Sequence, residues 1–226
     1  QMNGYQTRIF ELHDKPGGLC TAWTRKGYKF DICIHWLVGS RPESPYFKLW
    51  QELGALQNTD IFYKEMSAKV FLKDQIINFY NDPEILRNHL KEIAPEDAAA
   101  VDELVECMIL FSSIHTMPLT KPKELFSVIA TLKTIKDFGP FMKTMKKYSK
   151  MTIDDFADKF SSPVLRQAIR SYKFDSSSNN FFTVPFTLAT REFGSPKGGS
   201  DIFAKNIAKR YTDLGGTIHY GKKIKK

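Results

Sequence analysis

Cysteine is scarce in this chain: Cys20, Cys33 and Cys107 are the only three in 226 residues. No two of them stand in C-x-x-C spacing, so neither a disulfide framework nor a structural zinc site is expected, and a reducing compartment suits the composition. No apolar run reaches roughly 18 residues, so no transmembrane helix is expected. A G-x-G-x-x-G phosphate loop is also missing. The net charge is +8, but the excess sits in two clusters without arginine. Lys133, Lys136, Lys143, Lys146, Lys147 and Lys150 form one, and Lys222, Lys223, Lys225 and Lys226 the other. Neither has the aromatic interleaving of an RNA-binding module, so nucleic acid is not an expected partner. What is present suffices for a core. The chain is 42% hydrophobic and 13% aromatic, which excludes a disordered composition and allows one large domain or two small ones.

Residues 4–18, GYQTRIFELHDKPGG, carry the densest signal. Thr7, Ile9 and Phe10 form a short strand that ends on an acid, Glu11, and Pro16-Gly17-Gly18 turns the chain sharply. In a dinucleotide-binding βαβ unit an acidic residue about 20 residues beyond the glycine fingerprint accepts the ribose hydroxyls. The stretch therefore reads as the second strand of such a unit, with its phosphate loop expected upstream of Gly4. The other reading makes Glu11 a solvent-facing strand end and Gly17-Gly18 an ordinary turn.

Further along, Ser44 as N-cap, Pro45 at N1, the periodic Phe47, Leu49, Trp50 and Leu53, and Gly54 as a stop predict a helix. Val70, Leu72, Ile76, Ile77, Phe79 and Tyr80 predict two strands around a Lys73-Asp74 turn. From residue 82 to 172 the pattern is mostly helical. Asp82-Pro83, Pro95 and Pro122 open helices, and Gly139-Pro140 is expected to break or sharply kink the third of them. Thr152-x-x-Asp155 resembles a capping box, and Ser162-Pro163 starts another helix. After Pro196-Lys197-Gly198-Gly199 a helix over 201–212 and a strand over 217–220 are expected. The fold class is thus α/β, with pieces at 1–60 and 194–226 flanking a mostly helical block, 61–193, that contains a small β-hairpin.

Gly4-x-x-Thr7-x-Ile9-Phe10-Glu11, Lys15-Pro16-Gly17-Gly18, Gly27-Tyr28-x-Phe30-Asp31 and Ile34-His35 together resemble FAD-dependent oxidoreductases of the phytoene desaturase and retinol saturase (carotenoid isomerase-like) type, within the amine-oxidase-like flavoprotein group. That family reads E-x-x-x-x-P-G-G after its second strand and later F-D-x-G-x-H or a variant. The resemblance implies a partial FAD/NAD(P)-binding Rossmann-like domain with an inserted, mainly helical (α+β) substrate domain, in a chain truncated at both ends. It implies FAD as cofactor, with NAD(P) as an optional redox partner, and desaturase, saturase or isomerase chemistry on an apolar, isoprenoid-like small molecule. Carried onto these residues, Glu11 accepts hydrogen bonds from the adenosine ribose, and Gly17 and Gly18 let the backbone approach the cofactor. Lys15 offers charge near the ribose or diphosphate, and His35 and Trp36 begin the segment leading toward the flavin. Cys33 stands where many members carry glycine.

Alternatives stay open. An amine-oxidase-like flavoenzyme on a small molecule is one, and a non-catalytic fragment or membrane-associating module is another. His35, the one catalytic candidate, reads either as a core histidine or as a flavin-proximal polar group. Cys20 and Cys33 read as small buried apolar residues, and Asp154 and Asp155 as helix N-terminal charges. The lysines from 133 to 150 interleave Ile135, Phe138, Phe141, Met142 and Met145. That stripe is either a peripheral membrane surface or a core-packed face with solvated lysines. The expected location is cytoplasmic, with membrane contact through that stripe as the option.

Overall fold

Short polar side chains followed by proline set where several helices begin. Ser44 Oγ accepts from the Tyr46 N–H (3.3 Å) at the start of α1 (Pro45–Glu52). Asp82 Oδ1 accepts from the Glu84 and Ile85 N–H groups (3.0 and 3.1 Å) at the start of α2 (Pro83–Ile93). Proline at the first helical position has no N–H to leave unpaired, and the capping oxygen satisfies the next donors. Thr152 and Asp155 form a reciprocal capping box at α5 (Ile153–Ala157), and Ser162 caps α6 (Pro163–Arg170). The computed structural model describes residues 1–31, 33–34, 36–72, 74–113, 127–173, 179–189 and 193–225. They fall into two units, residues 1–63 with 193–226, and residues 64–192.

In the first unit, β1 (Arg8–Phe10) pairs in parallel with β8 (Thr217–His219), Ile9 lying opposite Ile218. Strands β2 (Ala22–Arg25) and β3 (Tyr28–Asp31) form a hairpin, and β4 (Ile61–Phe62) pairs antiparallel with β7 (Ser195–Pro196). Helix α8 (Gly199–Asp213) runs between β7 and β8. Its Phe203 joins Leu37 and Ala55 in a small core, with the Trp50 ring edge-on at 5.3 Å.

The second unit holds the larger core. The hairpin β5 (Met66–Leu72) and β6 (Gln75–Tyr80) precedes α2, a 3₁₀ turn (Pro95–Asp97), α3 (Ala98–Ser113), α4 (Val128–Tyr148), α5, α6 and α7 (Thr183–Leu188). Phe79, Leu86, Phe156, Phe160 and Phe181 are fully buried there, and the Phe156 and Phe181 rings lie 4.1 Å apart. Asp97, itself buried, accepts from the Ser161 and Ser162 N–H groups (2.6 and 2.9 Å), which ties the 3₁₀ turn to the start of α6.

The expected break at Gly139-Pro140 does not occur: α4 continues through Pro140 for 21 residues. Proline removes one donor, and beyond it Phe141, Met145 and Tyr148, spaced i, i+4, i+7, are held in the core. Lys136, Lys143, Lys146 and Lys147 are exposed. Core packing thus accounts for Phe141 and Met145, while Met142 stays 59% exposed. Among the described residues no helix is long and apolar enough to cross a membrane. The expected turn residue Lys73 and the helix start at Pro122 lie outside the described residues.

Truncating Phe181 to alanine removes a fully buried ring and is expected to cost about 3–5 kcal/mol. Phe71→Ala, at a site 73% exposed, is expected to stay within about 0.5 kcal/mol. Urea titration of the two variants beside the parent chain checks both.

Candidate functional site

Residue 11 follows the last residue of β1, where the parallel pair ends. The Glu11 N–H donates to His219 O (2.9 Å) and Glu11 O accepts from the Lys222 N–H (2.9 Å), so both backbone polar groups there are held by β8 and the residues after it. The Glu11 Oε1 accepts from the His13 N–H (2.9 Å), and Oε2 carries no hydrogen bond among the described residues. The side chain lies on the wall of a cleft of about 580 Å³ within the first unit. The walls are mainly apolar: Ile9 and Ile218 from the parallel strands, Phe203, Ile207 and Leu214 from α8 and its end, with Arg210 as a second charge. A carboxylate at the carboxyl end of parallel strands, beside an apolar recess, suits a ligand that offers hydroxyl donors on one side and a flat apolar body on the other.

The other expected site residues are distributed differently. Gly17 lines the cleft. Its φ is +118°, and a Cβ there would come within 2.5 Å of Cys20 O and 2.9 Å of the Ala204 Cβ on α8. Glycine is thus required by the close approach of protein to protein. Gly18, at φ +55°, faces open space. Lys15 is not brought to the cleft wall; its ammonium donates to Ala22 O (2.8 Å) at the start of β2. His35 lies outside the described residues, and Trp36 is 38% exposed. The expectation of two buried thiols is corrected: Cys20 is half-buried, and Cys33 is exposed because it sits in a bend just after β3.

A cluster that the motifs did not single out joins the hairpin to α8. Asp31 Oδ1 accepts from Ser200 Oγ–H (2.6 Å) and the Cys33 N–H (3.1 Å), while Oδ2 accepts from the Ser200 N–H. Ser200 Oγ in turn accepts from the Ile34 N–H (2.9 Å). Lys29 donates to Gly198 O (2.5 Å) and pairs with Asp201. Gly198, the N-cap of α8, has no side chain to cap with, so Asp31 supplies the acceptor from another strand. Burial by itself raises the Asp31 carboxyl, but the Ser200 and Cys33 hydrogen bonds and the Lys29 charge outweigh it and hold the group below its ordinary value of 3.8. The only signal for this role in the sequence was the F-D pair, Phe30-Asp31.

The residues present fit one end of a dinucleotide. Glu11 Oε2 can take ribose hydroxyls, and the apolar walls can cover an adenine ring. At the N-terminus of α8 the Ser200 N–H is already taken by the Asp31 carboxylate, which stands where an anion would have to lie.

Comparison with known proteins agrees at this level. Residues 1–53 match the sequence model of the NAD(P)-binding Rossmann-like domain, which supports a dinucleotide cofactor, and the mixed helix and strand content is that of an α/β fold. The chain is 25% identical over 171 residues to the zebrafish (Danio rerio) inactive all-trans-retinol 13,14-reductase, covering 70% of this chain and 27% of that protein. It is 20% identical over 227 residues to the zebrafish all-trans-retinol 13,14-reductase, covering 95% of this chain and 37% of that protein. The chain thus spans about a third of the length of these curated relatives, and both point toward oxidoreductases.

Two outcomes follow from the geometry. Gly17→Ala is expected to lower stability by about 3 kcal/mol through strain and collision, against about 1 kcal/mol for Gly18→Ala in open space; thermal melts of both variants measure the gap. For Asp31 the folded carboxyl titrates below the unfolded one, so its contribution is complete above the ordinary 3.8 and is lost as pH falls through the folded value. Asp31→Asn is expected to flatten that acid limb, read by denaturant titrations between about pH 3 and pH 6.

Proposed function

We propose that this chain is part of an FAD-dependent oxidoreductase that acts on carbon–carbon bonds of an apolar, isoprenoid-like substrate. The observation that carries the reading is Glu11, fixed just beyond a parallel strand on the wall of an apolar cleft. Bound FAD supplies hydride exchange, with NAD(P)H as the external hydride source. Glu11 holds the adenosine ribose through both hydroxyls, Ile9 and Ile207 shield the adenine from water, and residues 64–192 serve as the substrate domain. Support for the substrate class comes from the relatives, one of which is described as a retinol 13,14-reductase; retinol is an isoprenoid alcohol with a long apolar body. A second reading, a cofactor-binding chain without catalysis, is favoured by the relative at 25% identity, which is described as inactive.

The test uses the reading frame that contains these residues, purified at full length. A flavin absorbance spectrum is expected, and Glu11→Leu is expected to weaken FAD retention about 10–100-fold, as loss of hydrogen bonds to a charged group does. Glu11→Gln is expected to lose less. A full-length protein that stays colourless with added FAD overturns the proposal. A yellow protein whose reduced flavin is not reoxidised by retinoid or carotenoid polyenes under anaerobic conditions selects the second reading.

A further inference from the structure

Two thiols, Cys20 and Cys33, flank the open end of the hairpin β2–β3. Its loop is the two-residue turn Lys26-Gly27, both at positive φ (50° and 80°), closed by the pair Arg25–Tyr28. In a hairpin of this kind the closing pair is hydrogen-bonded and the pairs then alternate, so Thr24–Lys29 and Ala22–Asp31 are non-hydrogen-bonded pairs, where side chains stand closest. The ladder ends at Ala22–Asp31, with Cys20 two residues before Ala22 and Cys33 two residues after Asp31, so both cysteines lie just beyond its open end. Both cysteines lie near Ser200 at the start of α8, Cys20 by direct contact and Cys33 through Asp31.

Observed contacts agree with that placement. Cys20 Sγ–H donates to Ser200 O (3.7 Å), and the Cys33 N–H donates to Asp31 Oδ1, the oxygen that Ser200 Oγ–H also reaches. The Cys20 thiol is pushed up to about 11, first by burial and then by the charge and hydrogen bond of the Cys33 thiol beside it. Cys33 is exposed, Cys20 is half-buried and lines the cleft, and Cys107 is buried in the other unit.

We propose that Cys20 and Cys33 are a redox-active dithiol at the rim of the cleft, which closes to a cross-strand disulfide by exchange with a small disulfide such as oxidised glutathione. The exposed Cys33 thiolate attacks one glutathione sulfur. The glutathione S–S bond breaks, and the departing thiolate takes up the proton that Cys33 released. Cys20 then gives its proton to solvent and attacks the Cys33 sulfur of the mixed disulfide, and the second glutathione leaves as thiolate and is protonated. Two protein thiols and one oxidised glutathione become one protein disulfide and two reduced glutathiones, with two electrons passing to glutathione. Capping Cys33 removes both its charge and its hydrogen bond from Cys20, so the first step eases deprotonation for the second. The bond would tie residue 20, whose carbonyl packs against Gly17, to the end of β3 beside the α8 cap. This inference is independent of the flavin reading.

The test equilibrates the purified 226-residue chain with graded mixtures of reduced and oxidised glutathione, followed by acid quench, alkylation and peptide mass mapping. Trypsin cuts at Arg25, Lys26 and Lys29, so the link is read as two joined peptides lighter by two hydrogens. Expected results are a 20–33 link with Cys107 still alkylatable after unfolding, and half-oxidation at roughly a tenfold lower proportion of oxidised glutathione than in guanidinium, since the folded hairpin preorganises the pair. Cys20→Ser, with its fold checked by circular dichroism, is expected to stop at a single glutathione adduct on Cys33. Mixed adducts without a link in the parent chain, a link between two chains, or equal midpoints folded and unfolded would each overturn the proposal.

Discussion

The Asp31 carboxylate is the acceptor around which the first unit is organised. It receives Ser200 through both N–H and O–H, across a separation of 169 residues. Helix α8 begins on two glycines, Gly198 and Gly199, and has no capping side chain of its own. Without a borrowed acceptor the N–H of Ser200, a fully buried residue, would be unpaired. The hairpin and α8 therefore stabilise each other: the strand delivers the acceptor, and the helix delivers the donors that keep the carboxyl charged. The placement of α8 then determines the cleft, because Phe203, Ala204 and Ile207 form its wall and Ala204 is the side chain against which Gly17 must remain bare.

The same helix leads to β8, and that return sets the chemistry of Glu11. A parallel pair requires a long crossover connection, and here α8 leads the chain into the strand beside β1. The hydrogen bonds between Glu11, His219 and Lys222 continue the pairing past the strand ends. An acid at the end of a lone strand would move with the loop that follows it. Held to that segment through both its N–H and its C=O, it presents Oε2 from a fixed position.

Local features were legible in the sequence because their physics is local. Ser44, Asp82, Thr152 and Ser162 cap helices through partners within three residues, and each capping residue was identifiable from the pattern alone. The strand ending on Glu11 and the two strands around residues 73 and 74 were visible for the same reason. What the pattern did not reveal depends on distant partners. Lys15 carries a flexible charge whose acceptor, Ala22 O, exists only once the hairpin has formed. Gly17-Gly18 read as a turn or a cofactor approach; Gly17 lines the cleft, and the atoms that leave no room for a Cβ are Cys20 O, three residues on, and the Ala204 Cβ on α8, far along the chain. Pro140 signalled a break or a sharp kink; the helix is not broken, and the side chains that follow the proline hold it in the core, a tertiary effect outweighing one lost donor.

The distribution of charge narrows what the cleft can accept. A helix N-terminus is the usual place for a phosphate, but the start of α8 is occupied by Asp31 and flanked by the Lys29–Asp201 pair. An anion there would have to displace a carboxylate held by three hydrogen bonds. On the cleft wall the charged side chains are Glu11 and Arg210. A carboxylate repels phosphate and accepts hydroxyl donors, and the guanidinium offsets its charge without creating a strong anion field. The remaining lining is mostly hydrocarbon. Such a surface suits a neutral, hydroxyl-bearing body with a flat apolar portion better than it suits a diphosphate.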